Sequence, residues 1–259
     1  MQVELNGRVA IITGGSKGIG RAIGARLVAC GADVALVARD PGVLAEAKQA
    51  LSGLGKGRVE TFSCDVMQAD AISKTYDDVM RTFGRVDIVV NNAGASQTGD
   101  FLSVTDAIWQ ADLDLKLFAA IRLTRLAWPQ MQARRWGRVI NVLNIGAKAP
   151  KAASAPTSVS RAAGMALTKV LAGEGAPHNI LVNALHVGLI ESDQCARKFE
   201  KSGESDYAAF LAKMGDNVPL GRIGSAEEFA NVACFLASDL ASYVTGTSIN
   251  IDGNMSPVM

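Results

Sequence analysis

Apolar residues along this chain fall into two alternating patterns. Short continuous runs come first: Val9-Ala10-Ile11-Ile12, Val34-Ala35-Leu36-Val37 and Val86-Asp87-Ile88-Val89-Val90. Runs of this length with no polar face predict strands buried on both sides. Val59 to Ser63, Arg138 to Leu143, Ile180 to Val187 and Ser248 to Ile251 read as further strands. Between them the apolar positions recur every three to four residues, the period of one helix face. Ile19, Ile23 and Leu27 mark the first such stretch. Leu44, Ala47 and Leu51 mark the second, with Pro41 at its start and the Gly53, Gly55 and Gly57 cluster at its end. Ile72, Tyr76, Val79 and Phe83 line a third. A long helix is expected from about Thr105 to Arg135, with a break near Pro129, and others over Thr157 to Glu174 and Ala226 to Ser238. Strand and helix alternate to the C-terminus, which predicts a parallel sheet with right-handed crossovers and helices on both faces. No linker or repeat divides the pattern, so residues 1–259 are expected to form one α/β domain. The polar, mixed stretch from Glu191 to Pro219 comes after a strand's C-terminal end, where such sheets bind ligands, and is expected to be an irregular substrate lid.

Composition narrows the function classes. At 49% hydrophobic residues, the chain can bury a sizeable core. Lys and Arg number 26 against 25 acidic residues, which gives no basic surface for nucleic acid and none for an anionic membrane. No apolar run is long enough to span a bilayer, and the first residues lack a signal-peptide pattern. Cys30, Cys64, Cys195 and Cys234 are scattered, with no paired spacing, and the only histidines are His178 and His186. That usage fits a reducing cytoplasm and no metal site.

The chemistry begins at Thr13-Gly14-Gly15-Ser16-Lys17-Gly18-Ile19-Gly20, between the first strand and the first helix. Gly14 permits a tight bend, while Gly18 and Gly20 leave room for phosphates and for helix packing. The helix N-terminus then aims unpaired N–H groups at a pyrophosphate. With Asn91-Asn92-Ala93-Gly94 after the fourth strand, this resembles the short-chain dehydrogenase/reductase family, a doubly wound, Rossmann-type fold. The likeness runs from Gly7 to Gly253. It implies cofactor contacts by Gly14, Ser16, Lys17, Gly18, Ile19 and Gly20, by Asp65 and Val66, and by Asn91, Ala93 and Gly94. It implies further contacts by Arg161 and by Gly188, Ile190 and Ser192 in the segment Val187-Gly188-Leu189-Ile190-Glu191-Ser192, where Val187 replaces the family's Pro. An NAD enzyme carries a carboxylate after the second strand; here Ala38 holds that place and Arg39 comes next. Arg39 and Lys17 suit the 2′-phosphate of NADP(H) over NAD(H), with Asp40 as the contrary sign. The resemblance also implies a homo-oligomer, a tetramer or dimer, built through the long helix and the Thr157 helix.

The family's four catalytic places, Asn, Ser, Tyr and Lys, align with Lys116, Asn144, Thr157 and Arg161. All four differ. Thr157 is an aliphatic alcohol, shorter and far less acidic than a phenol. Arg161 can bond ribose hydroxyls but its guanidinium stays charged. Asn144 can donate an N–H to a developing oxyanion. For Lys116 three readings stand: a general acid with a lowered pKa, half of an anion clamp with Arg161, or a structural contact. His186 is nominated as a substitute acid, against a structural role. The expected activity is an NADP(H)-linked oxidoreductase with a rearranged centre and a small-molecule substrate, anionic if the clamp operates. A cofactor-binding protein without turnover and a non-redox lyase or isomerase are the alternatives.

Overall fold

The apolar runs form a sheet whose helices lie on both sides. The computed structural model describes residues 2–259, without the side chains of residues 193 and 194. In chain order the strands are β1 (Val9–Thr13), β2 (Asp33–Ala38), β3 (Val59–Ser63), β4 (Ile88–Asn91), the short β5 (Thr98–Gly99), β6 (Gly137–Asn144), the short β7 (Ala155–Pro156), β8 (Ile180–Val187) and β9 (Ser248–Ile251). The helices are α1 (Gly18–Ala29), α2 (Pro41–Leu51), α3 (Ala69–Phe83), α4 (Asp106–Leu113), α5 (Ala119–Arg134), α6 (Thr157–Gly175), α7 (Asp193–Ser202), α8 (Tyr207–Gly215) and α9 (Ala226–Ala237).

Seven strands pair in parallel in the order β3-β2-β1-β4-β6-β8-β9. The order reverses between β1 and β4, so a crevice opens at the C-terminal ends of those strands. Alternation along β1 separates two cores. Ala10 and Ile12 pack with Ile23, Leu27 and Phe229 on one face, and Ile11 packs with Val79, Leu123 and Met131 on the other. Burial on both faces is why the strands read as unbroken apolar runs. The short β5 and β7 pair antiparallel and fold the segment after β4 over the start of α6.

Three expectations need correction. β4 starts at Ile88, not Val86, and the Asp87 carboxylate takes the Val9 N–H at 2.9 Å. The long helix does not break at Pro129. Leu123, Thr124, Ala127 and Met131 bury its face and hold α5 together across the one missing donor. The irregularity lies earlier, in the π-helical turn Asp114–Phe118, which joins α4 to α5 and turns Lys116 inward. The stretch from Glu191 to Pro219 is not irregular either. It holds α7 and α8, joined by ring contacts of Phe199 with Tyr207 (5.2 Å) and with Phe210 (5.6 Å).

Candidate functional site

The glycine turn after β1 is shaped by close approach. Gly14 has φ +65°, and a Cβ on Gly20 would lie 2.2 Å from the Gly14 carbonyl oxygen. Asn92 clamps the turn: its Nδ2 donates to the Thr13 and Gly14 carbonyls at 3.0 and 3.1 Å. A cleft of about 420 Å³ opens beside this turn. Gly14, Lys17, Gly18, Ile19, Gly20, Ala93, Gly94, Asn144, Thr157, Arg161, Gly188, Ile190 and Ser192 all line it. Most of the residues singled out in the sequence therefore meet in one place. Asn92 and the lid's Cys195, Arg197 and Lys198 also line the cleft and were not among them. Asn92 was legible as the second residue of the Asn91-Asn92 pair. Nothing in the lid's sequence marked which cations face inward.

Ser16, Arg39, Asp65, Val66, Asn91 and Lys116 lie outside that lining. Asn91 points into the sheet, donating to Asn141 Oδ1 at 2.8 Å and Thr124 Oγ1 at 3.1 Å, so it ties β4 to β6 and α5. Asp65 takes the Met67 N–H at 3.0 Å and so shapes the loop after β3, where Val66 is buried. Arg39 stands exposed at the end of β2, with its carbonyl accepting from Ser63 Oγ at 2.8 Å. The Asp40 carboxylate caps α2, accepting from Gly42 N at 2.8 Å and Val43 N at 3.1 Å. Both bonds go to Oδ1, so the cap fixes the orientation of this carboxylate at the start of α2.

The catalytic places form two layers. At the cleft wall, Arg161 donates from Nη1 to the Val142 carbonyl at 2.8 Å and brings Nη2 up against Gly94, where any Cβ would meet it. Burial pushes the Arg161 guanidinium down to about 10, and Asp112 opposes the shift. Asn144 ends β6, and its buried Oδ1 has no hydrogen-bond partner. Thr157, 5% exposed, is saturated: Oγ1 donates to the Gln97 carbonyl at 2.7 Å and accepts from Gln97 N at 2.9 Å and Lys116 Nζ at 2.7 Å.

Behind Thr157 lies the second layer. The Lys116 side chain is 1% exposed and pairs with Asp112, one turn earlier on the helix. Asp112 in turn accepts from Ser160 Oγ at 2.6 Å. Lys116 therefore does not line the cleft, and of its three readings the clamp with Arg161 is not formed. The reason is Asp112, a buried carboxylate that no cofactor or catalytic motif marked. Burial lowers the Lys116 pKa; Asp112 works against the shift and Arg161 with it. His186, 0% exposed, is bonded on both ring nitrogens and does not line the cleft, in keeping with the structural one of its two readings.

Comparison with known proteins places this geometry. A family model described as Enoyl-(Acyl carrier protein) reductase matches residues 14–256. The chain is 31% identical to the 3-oxoacyl-[acyl-carrier-protein] reductase FabG of Aquifex aeolicus, over 98% of this chain and 100% of that protein. The structure of L-sorbose reductase from Gluconobacter frateurii, complexed with NADPH and L-sorbose, superposes with TM-score 0.94 at 35% identity, covering 100% of both chains. The NADPH-bound short-chain oxidoreductase of Pseudomonas aeruginosa PAO1, described as containing an atypical catalytic center, superposes with TM-score 0.92 at 36% identity. That match covers 99% of this chain and 100% of the other.

Proposed function

This chain belongs to the short-chain dehydrogenase/reductase family, and from that premise we propose that it is an NADP(H)-dependent oxidoreductase with a non-standard active centre, acting on a small carbonyl or alcohol substrate. The observation that carries the reading is the cradle after β1. Gly14 and Gly20 give the backbone proximity a pyrophosphate needs, and the α1 N-terminus aims its N–H groups there. Two relatives of similar fold are described with NADPH bound, one of them with an atypical centre. Lys17 at the turn, Arg39 after β2 and the capped Asp40 support NADP(H) over NAD(H). Ser16, Asp65, Val66, Asn91, Ala93, Gly94, Gly188, Ile190 and Ser192 keep their proposed parts in holding the cofactor, Asn91 and Asp65 by supporting the loops.

When bound, NADPH supplies the hydride. The chain's own residues manage charge and proton at the substrate oxygen. Arg161 and Asn144 face the cleft and stabilise charge developing on that oxygen, Arg161 through a fixed guanidinium and Asn144 through its amide. Thr157 delivers the proton, and Lys116 replaces it. As the Thr157 hydroxyl turns from the Gln97 carbonyl toward the cleft, Lys116 Nζ, already bonded to Oγ1, passes a proton forward and is left neutral beside Asp112. A buried ammonium with a lowered pKa is suited to give up that proton. The saturation of Thr157 also favours a second reading, a cofactor-binding protein without turnover.

Fluorescence titration with NADPH and NADH, followed by a carbonyl panel, decides between them. NADPH-selective binding with turnover is expected, and Arg39→Ala should narrow the selectivity at least 10-fold, since one charge-assisted bond is worth about 1.5–3 kcal/mol. NADPH binding with no turnover supports the second reading. No binding of either nucleotide removes both.

A further inference from the structure

His186 is a buried titratable group near the cleft that the proposed chemistry leaves without a part. It sits on β8 opposite Leu143, one step before the pair Asn144 and Val187. Its Nδ1 lies 2.8 Å from the Asn144 carbonyl oxygen and its Nε2 lies 2.6 Å from Ser248 Oγ on β9. These partners determine the tautomer. A carbonyl only accepts, so Nδ1 carries the hydrogen. Burial holds the ring toward its neutral form, aided by the positive charges of Lys148 and Arg161 and opposed by the bond to the Asn144 carbonyl and by Asp252, so Nε2 accepts from the Ser248 hydroxyl. One rigid ring thus pins the ends of β6, β8 and β9 together.

The pinned place matters because the chain changes conformation there. Asn144 is the last extended residue of β6, with φ −133° and ψ 163°, and the chain turns at once into the 3₁₀ segment Ile145–Ala147. Asn144 is the last residue of β6 in register with β8, opposite Val187. Asn144 also lines both the main cleft and an adjoining chamber of about 220 Å³, and Thr157 is another wall residue shared between them. Its Oδ1 is buried and unpartnered at that junction. The orientation of this amide relative to a substrate is therefore set by the plane of a peptide whose carbonyl His186 holds.

We infer that His186 is a positioning residue: through its Nδ1–H bond to the Asn144 carbonyl it fixes the peptide that presents the Asn144 amide to the substrate oxygen. The inference rests on the role proposed above for Asn144. Two near-isosteres separate the ring's two bonds. His186→Asn places an amide N–H where Nδ1 stands, and His186→Gln places one where Nε2 stands. His186→Asn is expected to keep kcat within about 3-fold of the parent. His186→Gln and His186→Leu should lose at least about 10-fold in kcat, because a misplacement near 1 Å can cost up to about 100-fold. KM for NADPH should stay unchanged in all three, since the glycine turn lies elsewhere. Equal kcat in the Asn and Gln variants overturns the inference, as does a loss shared equally between kcat and NADPH affinity. If the Leu variant does not fold, the Asn and Gln pair still decides.

A second readout needs no turnover. Nitrogen-15 NMR of the holoprotein should show His186 as the neutral Nδ1–H tautomer at pH 7, and the Asn144 side-chain amide resonances should move in His186→Gln but not in His186→Asn. An Nε2–H tautomer, or an Asn144 amide indifferent to both changes, overturns the inference. A parent protein that binds NADPH and reduces nothing would sink the oxidoreductase reading while leaving this spectroscopic test intact.

Discussion

Lys116 and Asp112 face each other on one turn of helix where almost no water reaches them, and their consequences are best stated as residues. A buried pair contributes modestly as a pair, but removing one partner strands the other charge. Lys116→Met should therefore cost about 3–5 kcal/mol, while adding Asp112→Asn should recover a large part of that loss. Urea denaturation of the two single variants and the double variant measures the coupling, and strictly additive losses would show that the two groups act independently. Thr157→Val leaves the Lys116 ammonium and the Gln97 carbonyl each short of a partner, a further loss of about 1–3 kcal/mol, together with slower reduction. His186 gives the clearest pH dependence. Its pKa is lowered in the folded chain, so below the ordinary value of 6.5 the unfolded state binds a proton that the native state refuses. Stability from this group is present above that value and declines as the pH falls below it. His186→Asn should flatten that slope in denaturation curves taken between pH 5 and 7, the range that brackets the ordinary histidine value of about 6.5. None of this was legible residue by residue. Lys116 was found by alignment to a family place, but its burial and its partner Asp112 lie in no motif.

Elements show the reverse balance. β3, β8 and β9 match the ranges read from the sequence; β8 is buried along nearly its whole length, while β3 and β9 are the half-buried edges of the sheet. The caps are equally local. α9 opens with a full capping box, in which Ser225 Oγ accepts from Glu228 N and Glu228 reaches back to Ser225 N. Ser225→Ala should cost about 1 kcal/mol in equilibrium unfolding, and Ser225→Asp should lose little. The long helix was read correctly as a stretch and wrongly as to its fault, since Pro129 is an obvious breaker and the π-turn at Asp114–Phe118 leaves no mark in composition. Helices α7 and α8 escaped for another reason. α7 is mostly polar and α8 is short, and their shared apolar cluster of Phe199, Tyr207 and Phe210 is assembled only when the two meet. Phe199→Ala removes two of those ring contacts, each worth about 0.5–1.5 kcal/mol. Faster proteolysis between α7 and α8, with global unfolding little changed, is the expected result.

At the scale of the whole molecule, a ligand seated where β1, β4, β6 and β8 end touches segments far apart in sequence and stabilises them together. Saturation with NADPH at 100 times its Kd should raise stability by about 2.7 kcal/mol, which for a chain of this size is about 5–10 °C in Tm. Differential scanning fluorimetry checks this, and an equal shift with NADH would remove Lys17 and Arg39 from their role. The helices proposed to build an oligomer carry exposed apolar side chains, Phe118 between α4 and α5, and Val159 and Val170 on α6. Light scattering after size exclusion should report a dimer or tetramer, and Val170→Glu should shift it toward smaller species. By itself the sequence determined the strand and helix order and the glycine turn, because each is written in local pattern or in residue identity at a motif place. Only the tertiary structure decided that Lys116 lies behind Thr157 and that His186 bonds the Asn144 carbonyl. Both depend on which side chains meet across strands and helices, as Lys116 meets Thr157 at a separation of 41 residues and His186 meets Asn144 at 42. No local pattern encodes a partner at that distance, whereas burial and hydrogen bonding in the folded chain leave almost no choice of one.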